Sequence, residues 1–205
     1  WLDDLPEVEA ISLIQNRRKA FIGDSIRGIG FTLTVPEAAI LQGNEINKKC
    51  VLPYLSGEDL TTNVGQEPSR FVICFHDWSY EKARNYPELL EIVKEKVKPF
   101  RDGVAEKHER EKWWLFAEYC VELRKTIVEY PRVLVRSRVS ELHMLSFAER
   151  GVVFSDATVV FTYNDYYHFG VLQSSMHEVW LRRHASSLRT DVRYTPTDCF
   201  RTFPF

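Results

Sequence analysis

Residues 86–100 read YPELLEIVKEKVKPF. Leu89, Leu90, Val93 and Val97 recur at helical spacing, with charged residues between them. That pattern specifies an amphipathic helix, and Pro99 is expected to end it. The segment matters because the period differs on either side of it. Upstream, RFVICFHDW (70–78) is a short run of apolar, β-branched and aromatic residues, the signature of a buried strand. Downstream, a second helical stretch is expected over 104–128, broken or bent near Trp113 and Trp114.

Strand signals return after Pro131. Val133 and Val135 alternate with Leu134 and Arg136, and residues 152–154 and 158–162 are further candidates. FGVLQSSMHEVWLRRHAS (169–186) reads as one helix with Leu172, Met176, Val179 and Trp180 on its inner face. Near the start, FIGDSIRGIGFTLTVPEA (21–38) reads as strand, turn, strand from Phe31 to Val35, then a helix with Pro36 and Glu37 in its first turn. The fold class that follows is α+β, with mixed β-sheet regions around a central helical section.

Composition narrows the function. The chain has 205 residues, 44% apolar and 27% charged, with a net charge of -2, ordinary values for a globular protein. Positive charge for contact with nucleic acid must therefore be local or supplied from elsewhere. Cys50, Cys74, Cys120 and Cys199 are scattered, with no CxxC pair, which disfavours a zinc site and fits a reducing compartment. No run of apolar residues reaches membrane-span length, so no membrane partner is expected. Localisation is expected to be cytoplasmic. The chain starts at Trp1 and stops on the aromatic, proline-containing RYTPTDCFRTFPF (193–205), which suggests a piece of a longer protein.

Catalytic signatures are missing. Gly28-Ile29-Gly30 lacks the third glycine of a dinucleotide fingerprint, and a strand rather than a helix follows it. A glycine-rich turn between strands is the reading this leaves. His76 beside Asp77 could act as a general base or a metal ligand, but no second histidine cluster supports it, so a structural role is expected. His177 is expected to be a hydrogen-bonded core residue, and Trp113 and Trp114 core or interface anchors. No catalytic residue and no metal ligand is assigned.

Six stretches in order carry a resemblance: FIGDSIRGIGFTLTVPEA, VLPYLSGEDL, YPELLEIVKEKVKPFRD, KWWLFAEYCVELRKTI, FGVLQSSMHEVW and RYTPTDCFRTFPF. Together they resemble the C-terminal target recognition region of MmeI-type (type IIL/IIG) restriction–modification enzymes and related adenine-specific DNA methyltransferases. The resemblance implies that residues 1–20 lead in from an upstream domain and that 21–205 form a DNA target recognition domain, itself not an enzyme. It implies double-stranded DNA and an upstream methyltransferase domain of the same chain as partners. No cofactor is expected in this fragment, and S-adenosylmethionine is expected in the parent methyltransferase. It implies a bacterial or archaeal source, possession of an endonuclease being left open. Alternatives are the DNA-recognition module of a phage-defence methyltransferase, or a protein-interaction scaffold without DNA readout.

Base reading in the major groove suits Arg on guanine, Asp or Glu on cytosine, and Asn or Gln on adenine. Arg189, Asp191 and Arg193 occur at alternate positions in SSLRTDVRY (186–194) and would project to one side if that segment is extended. By the charge pattern alone they could equally form a solvated ion pair. In the resembled family the positions just before this Arg-Tyr vary with the sequence recognised, which favours readout. The resemblance adds Asp156 and Ala157 of SDAT (155–158), and more loosely Glu141. Phosphate contacts are expected from Arg132, Arg136 and Arg138, and from Arg182 and Arg183 at the end of the last helix.

Overall fold

A computed structural model describes residues 10–188 and 191–205, without the side chains of Ser187 and Leu188. The first half runs β1 (Ala20–Ile22), β2 (Thr32–Leu33), α1 (Val35–Gln42), β3 (Val51–Leu55), α2 (Gly57–Thr62) and β4 (Arg70–Ile73). The central helical section follows as α3 (Tyr80–Ala83), α4 (Pro87–Lys96), α5 (Lys98–Asp102), α6 (Lys107–Glu111) and α7 (Val121–Ile127). The rest is β5 (Arg132–Ser137), β6 (Val139–Ser140), β7 (Ser146–Glu149), β8 (Val153–Phe154), β9 (Thr158–Phe161), α8 (Tyr166–Gln173), α9 (Ser175–His184), β10 (Ser186–Leu188) and β11 (Asp191–Arg193). The class is α+β.

Three sheets organise these elements. One has the order β2-β4-β3-β8, a second β1-β9-β5-β7, and a small third β10-β11-β6. Leu89, Leu90, Val93 and Val97 are all buried, so the amphipathic reading of residues 86–100 holds. They pack with Phe31, Val72, Phe75, Trp113, Trp114 and Phe116 beside the first sheet. Strand β5 is buried on both faces. Val133 and Val135 join Leu55, Leu123, Phe154 and Val160 on one side, and Leu134 joins Phe161, Tyr194 and Phe200 on the other.

Local chemistry explains where elements start. Thr34 and Glu37 form a reciprocal capping box on α1, with Pro36 in its first turn, and Ser56 with Asp59 does the same for α2. Strand β2 is correspondingly shorter than 31–35, because Thr34 has already become a cap.

Two helix expectations need correction. Pro99 does not end a helix; α4 closes at Lys96, and Pro99 sits in the first turn of α5. Its missing N–H has no partner to lose there. Residues 169–186 are not one helix either. Ser174 leaves the helical region at ψ 156° and caps α9 by accepting from the His177 N–H at 3.3 Å. The restart resets the helical phase. Leu172, His177 and Leu181 are buried, while Met176 and Val179 are exposed. Over 104–128, only α6 and α7 are helical, and the tryptophan pair lies in the irregular stretch between them.

The closing segment docks onto the domain. Tyr194, Cys199, Phe200 and Phe203 are buried, and the Asn16 side-chain amide donates to the carbonyls of Phe200 at 3.1 Å and Phe203 at 2.7 Å. Leu13 adds a backbone bond to the Arg201 carbonyl at 2.7 Å. The lead-in from Leu13 is thus bound to the tail.

Candidate nucleic-acid interface

Arg138 is the joint between β5 and β6. Its N–H donates to the Ala157 carbonyl at 2.8 Å, and its carbonyl accepts from the Tyr194 N–H at 2.8 Å. One residue therefore ties together two segments that lie far apart in sequence. One is the turn carrying Asp156 and Ala157. The other is β11, which carries Asp191 and Arg193.

The turn is tightly built. The Ser155 N–H donates to Leu55, the Ala157 N–H to Ser155 Oγ at 3.2 Å, and the Thr158 N–H to the Ser155 carbonyl at 2.9 Å. Ser155 and Thr158 are buried, which leaves Asp156 and Ala157 exposed at the tip. The Asp156 N–H is fixed by the carbonyl of Asp24 at 2.9 Å. Asp24 is fully buried, accepts from the Cys120 N–H at 2.7 Å, and forms an ion pair with Arg124. Gly23 is needed beside it: a Cβ there would stand 2.2 Å from the Ser155 carbonyl oxygen. Gly23 is thus a packing device, whereas Gly28 serves a left-handed turn at φ 98°. A Cβ at Gly30 would likewise meet the Lys96 carbonyl oxygen at 2.6 Å.

The segment 186–194 is not one extended run. Leu188 faces Asp191 and Ser186 faces Arg193 in an antiparallel pair, so the chain doubles back. Arg189 lies outside the described residues. Asp191 and Arg193 stand two apart on β11 and so share one side of the strand. Arg193 is exposed and Asp191 half-buried. Strand β6 pairs on the other edge, with Val192 opposite Ser140 and Arg193 opposite Val139. The exposed Glu141 follows directly on the end of β6.

The arginines divide sharply. The Arg138 Nη1 donates to the Asp156 carbonyl at 3.3 Å, and burial, followed by the charge of nearby Arg193, lowers its pKa. Arg182 is half-exposed, bonded to Glu178 at 2.7 Å and to the Glu141 carbonyl at 3.4 Å; Arg183 beside it is exposed. Arg132 sits at the far end of β5, six residues or roughly 20 Å from Arg138 by strand rise. It lies over the Phe147 ring at 3.7 Å and donates to the Asn164 carbonyl at 3.1 Å. Arg136 is corrected outright. It is 1% exposed and donates to the Ser137 carbonyl at 3.0 Å and to His143 Nδ1 at 3.0 Å, with its guanidinium over the Tyr194 ring at 4.6 Å. A group so enclosed cannot meet a phosphate in this conformation.

Beneath β11 lies a buried polar network. His177 Nε2 and Tyr194 Oη share a hydrogen bond at 3.0 Å, and His143 Nε2 donates to the Leu172 carbonyl at 2.7 Å. Burial, followed by the neighbouring charges of His143 and Arg136, depresses the pKa of His177 to about 3. His177 is therefore a core residue, as its sequence context suggests. His76 is held by Tyr119 Oη at 3.1 Å and the Lys49 carbonyl at 3.1 Å, a structural setting, and burial lowers its pKa. Among the described residues no group of three metal-ligating side chains occurs, and no helix is long and apolar enough to cross a membrane.

A cleft of about 540 Å³ opens between the Asp156 turn and the irregular stretch after Trp114. Its walls include Gly23, Ser25, Glu118, Tyr119, Arg138 and Asp156. Sequence reasoning missed Asp24, Ser25 and Glu118. A buried acid inside the apolar, glycine-rich FIGD was the available signal for Asp24; nothing local marks Glu118.

Comparison with known proteins agrees with this architecture. The chain resembles the solved structure of the type IIL restriction-modification enzyme MmeI in complex with DNA, with a TM-score of 0.76 at 20% identity. The match covers 98% of this chain and 27% of that one, so the chain spans about a quarter of its length. Among curated proteins no sequence matches. The family described as "MmeI, target recognition domain" matches residues 11–205. With that match spanning almost all of its length, the chain belongs to the MmeI target recognition domain family.

Proposed function

We propose that this domain reads the sequence of duplex DNA through the surface built around Arg138, and places a target site before a catalytic domain elsewhere in a longer enzyme. The supporting observation is the convergence at Arg138. The backbone of one residue holds the exposed Asp156–Ala157 turn on one side and the Asp191–Arg193 strand on the other. Base readout needs side chains of matched polarity held rigidly at the surface, since each correct contact discriminates by about 1–3 kcal/mol. Arg193 offers guanidinium donors for guanine, Asp156 and Asp191 offer acceptors for cytosine N4, and Arg138 between them is assigned to a phosphate. Ala157 supplies an apolar contact beside them, and Glu141 a further acceptor. Arg189 belongs to this proposal by sequence alone. Arg182 and Arg183, at the C-terminal end of α9 just before the hairpin, are assigned to phosphates.

We assign the chemistry to the longer enzyme: methyl transfer to adenine N6 from S-adenosylmethionine bound by an upstream domain, in the cytoplasm. Gly23 and Gly30 of the glycine-rich segment are used in packing against Ser155 and Lys96, and no residue here is assigned to that cofactor.

A salt titration of duplex binding by the full-length enzyme tests the reading. Affinity should fall by orders of magnitude between low and physiological salt, with one sequence strongly preferred. Equal binding of all duplexes, or none, would overturn it in favour of a scaffold role.

A further inference from the structure

The cleft beside Asp156 contains an acid that the reading above leaves without a role. Glu118 is exposed and has no ion-pair partner among the described residues. Its backbone is rigid: its N–H donates to the Ser25 carbonyl at 3.1 Å, and its carbonyl accepts from the Ser25 N–H at 3.0 Å. Two residues on, the Cys120 N–H is held by the Asp24 carboxylate, while the Asp24 carbonyl holds the Asp156 N–H. Glu118 and Asp156 therefore stand on one buried mount, Asp24. Arg138 lines the cleft with them, and its Nε has no hydrogen-bond partner among the described residues.

A bare carboxylate facing a polyanion is repelled by it. Such a group is compatible with tight binding when it accepts a hydrogen bond from a base amino group and a nearby cation offsets the repulsion. Arg138, which lines the same cleft, supplies the cation, and its pKa already responds to the Glu118 charge; the amino group would come from a base brought to the neighbouring Asp156 turn. We propose that Glu118 is a further specificity-determining residue, its carboxylate accepting from the exocyclic amino group of a cytosine or an adenine. This rests on the Arg138 surface being the DNA-reading face.

The experiment maps the methylated motif of the full-length enzyme carrying Glu118→Gln, Glu118→Ala or Asp156→Asn, each checked by thermal melting. Glu118→Ala should relax one motif position by about tenfold or more in discrimination, a different position from that moved by Asp156→Asn. The base at the relaxed position says whether cytosine or adenine is read. A motif unchanged in both Glu118 variants while Asp156→Asn shifts it would sink the Glu118 assignment alone. If the Glu118 variants strengthen binding to every sequence equally, the residue only repels DNA and the assignment is likewise wrong. If neither Asp156→Asn nor the Glu118 variants move the motif, the reading face itself is misplaced.

Discussion

The Tyr194 N–H donates to the Arg138 carbonyl at 2.8 Å, and this bond sets the position of Arg193, the residue before Tyr194. Tyr194 is fully buried and is held from below by the 3.0 Å hydrogen bond to His177 and by the Arg136 guanidinium over its ring. The exposed strand is thus anchored through its neighbour in the core. Tyr194→Phe keeps the ring but removes the hydroxyl, leaving His177 Nε2 unpaired. It should cost about 1–3 kcal/mol of stability in chemical denaturation. It should also weaken discrimination at the motif position proposed for Arg193 without changing the base preferred there. Wild-type stability in this variant would show that the network does not hold the strand.

Acid should destabilise the domain through His177. Its folded pKa is about 3, below the ordinary value of 6.5, so between those values the unfolded chain binds a proton that the folded chain does not. The stabilising contribution is fully present above pH 6.5 and is lost as pH falls toward 3. His143 and His76, both with pKa values lowered by burial, act with the same sign. Melting temperature should fall steadily from pH 7 to pH 4, and His177→Gln should flatten that slope. A slope unchanged by the substitution would contradict the assignment.

Gly23→Ala should be severe for a residue so small. The added methyl would stand 2.2 Å from the Ser155 carbonyl and 2.4 Å from that of Phe154, both backbone atoms. Overpacking of this kind costs about 1–3 kcal/mol, and it would displace the turn that bears Asp156. The variant should lose both stability and sequence preference, whereas Gly170→Ala should leave both intact, since nothing lies within 4 Å of its Cβ position and its φ is not positive.

The two kinds of arginine on this face should separate in salt titrations. Removing a phosphate contact lowers the salt slope of duplex binding by about 1. Arg183→Ala should do so. Arg136→Met should leave the slope unchanged, because Arg136 is enclosed by Ser137, His143 and Tyr194. A reduced slope for Arg136→Met would mean that the strand opens on DNA.

Much of the fold is legible in the sequence because local signals agree there. The α4 face from Leu89 to Val97 and the first turn of α1 at Pro36 and Glu37 are each written in contiguous residues. The long-range geometry is not. Ser174 splits a helix that periodicity reads as continuous, since a cap with suitable neighbours outweighs an apolar pattern. Arg136 and Arg138 look alike on the page, yet β5 carries one into the core and releases the other at the surface. The proposed reading face depends on main-chain bonds from Asp24 to Asp156 and from Arg138 to Ala157 and Tyr194, all distant in sequence, which no side-chain pattern encodes.

The central claim is that the turn and the strand joined by Arg138 read bases. Its most direct measurement is the methylated motif of the full-length enzyme with Asp156→Asn alone. Asparagine exchanges a pure acceptor for a donor–acceptor pair, so one motif position should change toward adenine or relax, with every other position preserved. An identical motif, at wild-type activity and stability, would contradict the account.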